Sequence, residues 1–541
     1  MFRSSALFIA LLSSGVFAQN NDWTKPCLDG ECFYDLPASS GVSGTMRVWG
    51  ASTAISDITT AAGWTILNCD PNALKQDIRL VCTGAASDCD HLFQGNGAVN
   101  TLVRLPQNCG ASAFARVSRN WIHQDQSVPA DIAKKLTRRQ DPALVQGLAV
   151  DTQFDAADPA NGDVNIAISG TTVPGQTGNL TVTPPAPAPQ RRSRFAQRGL
   201  FSFVEDAFKK FNSFDKSVTK DLPPIDVDKN FPLFSESVTC TAPAVSASVA
   251  VGVEAKAHAV VSLGMTAVGK IIPPSLSEFG VFVGLDADMS GTMSLTGSAT
   301  GTIDSGVIDV FSVGIPGLDF TGILTIGPTF KIQAQATATL DVEVDMNVVL
   351  AYHIENAKLF FPHSDSLTSG GSFSPSDSPL SLSVSPSVAS KGTVAAHVIP
   401  RLDLGVSGLA GLAQATVFLD LDASAQMDLS LNAGVTVSTG AATTSNVNGC
   451  IDIGAGLDVN AGASASFFGL FDPSTKVNLF TKKFDLFKKC LGSGATRRSE
   501  PFTSREALSI LRRADLGCPA AIANLVKAVD EAVPASSITA V

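Results

Sequence analysis

Tyrosine and tryptophan are almost missing from most of this chain. The two tyrosines are Tyr34 and Tyr352, and all four tryptophans (Trp23, Trp49, Trp64, Trp121) fall in the first 125 residues. A pore made of long membrane strands needs girdles of such residues, so their scarcity argues against one. Charge is scarce as well, at 16% of residues with a net charge of −11, which excludes nucleic acid as a partner. Past the N-terminal segment no run approaches eighteen apolar residues, so no stable transmembrane segment and no C-terminal lipid anchor are expected. No CxxC pair, GxSxG elbow, Walker loop or HExxH helix occurs. No cofactor, metal or catalytic residue is therefore expected, and the reading leans away from an enzyme. A carboxylate pair for glycoside hydrolysis stays open, because its separation is a three-dimensional fact.

What is present points outside the cell. Arg3, the apolar Ala6–Leu12 and the small-residue site Val16-Phe17-Ala18 read as a signal peptide over residues 1–18. Ten cysteines suit an oxidising compartment. Six lie close together (Cys27, Cys32, Cys69, Cys82, Cys89, Cys109) and predict three disulfides of unknown connectivity. The other four, Cys240, Cys450, Cys490 and Cys518, are sparse disulfide candidates. Residues 19–125 read as a small disulfide-stapled β domain, with its tryptophans in the core rather than stacked on sugar.

Residues 126–198 read as a flexible linker. They hold Pro- and Ala-rich sequence, the glycosylation sequon at Asn179, and basic sites at Arg138, Arg139, Arg191, Arg192 and Arg198. Cleavage by a furin- or kexin-like protease at these sites is expected no more strongly than a merely solvated linker. Residues 199–239 begin with GLFSFVEDAFKKFNSF, whose apolar residues recur at helical spacing. This helix is expected to pack on a sheet rather than to seek a membrane, since its charges cancel.

Residues 240–490 are expected to form one large antiparallel β domain with unusually long strands. Its most telling stretch is Phe330–Ile354, twenty-five residues in which every even position is apolar. As one strand it would reach about 85 Å. Similar alternation spans 245–263, 281–295, 394–406, 417–437 and 451–467. The wet face is acidic, with about nineteen Asp and Glu against six Lys and Arg over 240–467. Asp341, Glu343 and Asp345 line one such face and would gather calcium only with Asp420 or Asp422 across a neighbouring strand. His91, His123, His258, His353, His363 and His397 are scattered; His258 and His353 alternate onto the polar face. The tail, 491–541, carries Arg497, Arg498, Arg512 and Arg513, with helices expected over 504–511 and 519–533. Trimming there would remove Cys518 and leave an odd cysteine, so a retained, tethered tail is expected. The fold class is thus mainly β, with a few helices in linker and tail.

Three phrases, LVRLPQNCGASAFARV (102–117), GIPGLDFTGILTIGPTFKIQAQA (314–336) and KKFDLFKKC (482–490), resemble a family of large fungal secreted proteins sharing a domain of unknown function. The resemblance covers roughly 27–490. Related chains sometimes carry killer-toxin-like chitinase modules, but the acidic DxxDxDxE pattern of those modules is absent here. The resemblance therefore implies source and compartment and transfers no catalytic residue. The leading expectation is a secreted, extracellular, non-enzymatic protein, structural or binding and in some settings associated with the cell wall. The alternatives are a carrier of lipid or another apolar ligand, and a protein that binds or acts on cell-wall polysaccharide.

Overall fold

The computed structural model describes residues 21–136, 144–180, 202–213, 222–242, 244–340, 344–362, 367–384, 390–408, 413–434, 446–463, 476–491, 512–519 and 525–540. In chain order the first strands are β1 (Glu31–Asp35), β2 (Ser43–Gly50), β3 (Ile55–Asp57), β4 (Trp64–Asn68), β5 (Lys75–Cys82), β6 (Leu102–Arg104), β7 (Phe114–Ile122), β8 (Gln146–Asp151) and β9 (Val164–Thr171). Helices α1 (Ala86–Cys89) and α2 (Ala130–Leu136) lie among them, and α3 (Ser202–Asn212) follows. Then come β10 (Ile225–Thr239), β11 (Ser246–Ile272), β12 (Ser275–Gly297), β13 (Thr300–Asp304), β14 (Ile308–Gly314), β15 (Leu318–Phe320), β16 (Leu324–Leu340) and β17 (Val344–Phe361). The last are β18 (Gly370–Pro375), β19 (Ser378–Val384), β20 (Ser390–Gly408), β21 (Ala413–Gly434), β22 (Asn446–Ala463), β23 (Lys476–Leu491), β24 (Arg513–Gly517), β25 (Val526–Val533) and β26 (Thr539–Ala540).

Two ten-stranded sheets face each other. One runs β1-β2-β9-β11-β12-β17-β19-β25, with β10 beside β11 and β18 beside β17. The other runs β24-β13-β16-β20-β21-β22-β23-β26, with β14 and β15 on β16. Their inner faces share a continuous core in which Ala259, Leu263 and Ile354 of the first sheet meet Leu402, Val417 and Leu457 of the second. A third sheet, β3-β6-β7-β8-β5-β4, has its own core around Trp64.

The long alternating run proves to be two strands. Strand β16 belongs to the second sheet and β17 to the first, so the chain changes sheet between Leu340 and Val344. Parity survives the change. Ile332, Ala336 and Ala338 are buried on one side of the interior, and Val344, Met346 and Ile354 on the other. Alternation reports which face is dry, not how long a strand is.

Three further expectations are corrected. The stretch read as a linker contains α2, β8 and β9, and β9 pairs with both β2 and β11. The Cys-rich region is thereby stitched into the first large sheet rather than ending at residue 125. Val526–Val533, read as helix, is a strand on β19, with Leu382 opposite Val529. Its three valines favour extended backbone once a sheet edge is available. Finally, only Trp64 is a core tryptophan, at 2% exposure. Trp23, Trp49 and Trp121 are half-buried beneath Arg104, Arg47 and Arg119, whose guanidinium carbons lie 5.1, 5.2 and 4.3 Å from the ring centres. Those arginines cover one face of each ring. The helix expected at 504–511 lies outside the described residues.

Helix α3 lies on the outer face of the first sheet. Phe203, Val204, Ala207, Phe208 and Phe211 are all buried, several against Phe282 and Phe360. Strand residues 278–283 are accordingly buried on both faces and lose their alternation. Close approach depends on two glycines: a Cβ at Gly280 would stand 2.5 Å from Val204 Cγ1, and one at Gly264 2.7 Å from the Phe211 ring. Glu205 in the first turn and Lys209 and Lys210 in the last suit the helix dipole. Lys358 donates to the Asn212 carbonyl at the C-terminal end, 3.2 Å away. Gly280→Val is expected to undock the helix at a cost of about 1–3 kcal/mol. Loss of hydrogen-exchange protection confined to residues 202–212 checks this.

Beneath the helix N-terminus sits Glu278, only 5% exposed, accepting from the Val204 N–H at 3.3 Å. Burial pushes its carboxyl from the ordinary 4.5 up to about 7, against the opposing pull of the Val204 and Phe203 amides. The folded state thus holds this proton more tightly than the unfolded chain. The resulting stability is complete below pH 4.5 and is lost as pH rises through 7. Exchange protection of α3, corrected for intrinsic rates, should be greater at pH 5 than at pH 8. In Glu278→Gln it should not change with pH in that window; an unaltered profile in the variant would assign the effect elsewhere.

Candidate functional site

The two sheets line a mostly apolar, partly open cavity of about 60 Å³. Val253, Ala255 and Met293 face it from the first sheet, and Ile332, Ala396 and Ala425 from the second. The period-2 pattern brings these residues inward, and alanines at facing positions leave the gap. Ser290 and Lys256 border the cavity from outward-facing positions of β12 and β11, and one inward-facing hydroxyl interrupts the wall. Tyr352 lines the cavity at 6% exposure, and among the described residues no donor or acceptor reaches its Oη. Burial pushes this phenol far above its ordinary pKa, so it stays protonated.

On the outer face of the same sheet, four neighbouring strands place Asp226, His258, Asp288 and His353 in one cross-strand row. His258 Nδ1 lies 2.6 Å from Asp226 Oδ1, and His353 Nδ1 2.5 Å from Asp288 Oδ1. The Asp288 hydrogen bond raises the His353 pKa. Beside this row is an open groove of about 370 Å³ lined by Asp228, His258 and Asp288, and it shares Lys256, Met289, Ser290 and Tyr352 with the cavity. Glu254, 2.8 Å from Lys256, raises the ammonium pKa. Among the described residues the side-chain bonds of both imidazoles go to carboxylates.

Three acidic side chains of the second sheet are paired locally. Arg401 bridges Asp403 (2.6 Å) and Asp420 (3.1 Å), Lys331 reaches Asp403 at 2.8 Å, and His397 reaches Asp422 at 2.9 Å. Calcium held by Asp345 together with Asp420 or Asp422 is ruled out: Asp345 is exposed on the first sheet, and the other two belong to the second. Asp341, Glu343 and His363 lie outside the described residues. Among the described residues no three His, Cys, Asp or Glu converge on a metal-sized position. His91 is buried and bonded to Ser56 at 3.2 Å, and His123 is turned to its own loop through Asp125.

The cysteines pair as Cys27–Cys32, Cys69–Cys109, Cys82–Cys89 and Cys240–Cys518. Cys450 is also disulfide-bonded and stands opposite Cys490 in the register of β22 and β23. Asn179 ends a single turn and is exposed. Arg138, Arg139, Arg191, Arg192, Arg198, Arg497 and Arg498 lie outside the described residues. Arg512 pairs with Glu236 at 2.7 Å and lies over the Phe234 ring, while Arg513 opens β24 opposite Asp304. Among the described residues no helix is long and apolar enough to cross a membrane.

Residues 277–492 match the family model described as a domain of unknown function, DUF7223. That is a narrower span than the resemblance over 27–490. It takes in β13 to β23 and most of β12, and thus Tyr352 and most of the cavity wall, but not β11. No curated protein and no solved structure matches the chain.

Sequence reasoning placed Tyr352 on the dry face but not its isolated hydroxyl. The signal was a tyrosine in a chain with 31 phenylalanines and two tyrosines.

Proposed function

We propose that this protein acts outside the cell as a non-catalytic structural or binding protein. One observation carries the reading: all nine cysteines whose side chains are described are disulfide-bonded, and among them none is free. Such wholesale pairing belongs to oxidising compartments. The leader-like N-terminus, the exposed sequon at Asn179 and the resemblance to fungal secreted proteins support a secreted glycoprotein of fungal origin. The killer-toxin association stays with the resemblance alone and adds no activity.

Mass spectrometry on the protein secreted by a fungal host tests this. Expected are loss of residues 1–18, no free thiol and a glycan at Asn179. Retention inside the cell with reducible, unpaired cysteines would reject it. Pulldown on chitin and β-glucan then separates wall binding from a free extracellular role. The cavity at Tyr352 favours a second reading, an extracellular carrier of an apolar ligand.

A further inference from the structure

We infer that the cavity at Tyr352 is a binding site for a compact, uncharged aliphatic molecule with one hydrogen-bond acceptor, of the small ketone or ester class. This rests on the carrier reading. Tyr352 projects from β17 into the space between the sheets, its ring 6.1 Å from that of Phe484. Phenylalanine would bury the same ring without a hydroxyl, and this chain uses it at 31 positions. A buried hydroxyl without a partner is unfavourable and uncommon in native structures. Water answers it badly, because a buried water typically makes two to four hydrogen bonds, and the inward wall here supplies one.

The remaining wall defines the rest of the ligand. The alkyl faces of Val253, Ala255, Ile332 and Ala425 favour an aliphatic body. Lys256 borders the cavity, but its side chain is 53% exposed and paired with Glu254, so it offers no inward countercharge. A carboxylate would give up its hydration uncompensated. A carbonyl oxygen accepts from the Tyr352 O–H and leaves no donor of its own unmatched, whereas an alcohol does. An apolar cavity of about 150 Å³ holds the six heavy atoms of benzene, so about 60 Å³ suits two or three as it stands. Met289 and Met293 line the site and can yield to a slightly larger guest.

The test uses the full-length protein carrying ¹³C-methyl methionine, titrated with xenon, isobutane and acetone, the last two being of matched size. Xenon reports space alone, and methyl shifts at Met289 and Met293 are expected with both xenon and acetone. Acetone should bind more tightly than isobutane, and Tyr352→Phe should weaken it about tenfold while leaving xenon and isobutane unchanged. Ala425→Leu should abolish all three. Absence of any xenon shift would remove the carrier reading itself. A xenon response with no preference for the ketone, in native protein or relative to Tyr352→Phe, would keep the carrier reading and overturn the assignment to Tyr352.

Discussion

Arg116→Met is expected to destabilise the six-stranded sheet by about 3–5 kcal/mol, because it strands a buried carboxylate. Arg116 on β7 and Asp151 at the end of β8 are register partners with side chains 8% and 3% exposed. Nε donates to Asp151 Oδ1 at 2.9 Å and Nη2 to Oδ2 at 2.8 Å. Nη1 is spent on the Ala156 carbonyl at 2.7 Å, and the Gln153 amide supports Oδ1 at 3.1 Å. With the arginine gone, Asp151 keeps one amide, and among the described residues no other cation bonds to it. Asp151→Leu should lose a similar amount by orphaning the guanidinium. The double variant should recover most of the loss, since an apolar pair of similar volume no longer buries an unpaired charge. Urea unfolding followed by intrinsic fluorescence suits this measurement, because all four tryptophans lie at or before residue 121. Equal losses in single and double variants would show that packing, not charge pairing, holds the site.

Removing Cys240–Cys518 should have an effect of comparable size. The bond spans 278 residues and joins the end of β10 in one large sheet to the residue after β24 in the other. Closing so long a loop restricts the unfolded chain strongly, and its loss is expected to cost about 4 kcal/mol. Cys240→Ser with Cys518→Ser should also loosen the tail. Arg512 and Arg513 are held by Glu236 and by pairing with β13, which shields a dibasic site from a protease. Cleavage there should be slow in the native protein and fast in the double variant. Even when cut, the native protein should keep its tail until reduced. Unchanged cutting rates would mean that β24 docks without the bond.

Much of the fold was legible in the sequence because side-chain alternation is local. Buried Val249, Val251 and Val253 on β11, and Leu457, Val459 and Ala461 on β22, follow from a period of two set by strand geometry. The amphipathic face of α3 and the pairing of six clustered cysteines among themselves were legible for the same reason. The candidate site was half legible: Tyr352 belonged to the dry face, while the lack of a partner for its hydroxyl among the described residues depends on what β20 and β21 place across the gap.

By itself the sequence determined that this chain is built from two-faced strands, stapled by disulfides, with one dry and one acidic side. Only the tertiary structure decided which strands share a sheet. Phe330–Ile354 reads as one strand because both sheets face the same interior, so parity cannot reveal a crossing from one to the other. Val164–Thr171 and Val526–Val533 join the first sheet through partners about 90 to 150 residues distant. Those choices turn on long-range packing and hydrogen-bond closure, which no local pattern encodes.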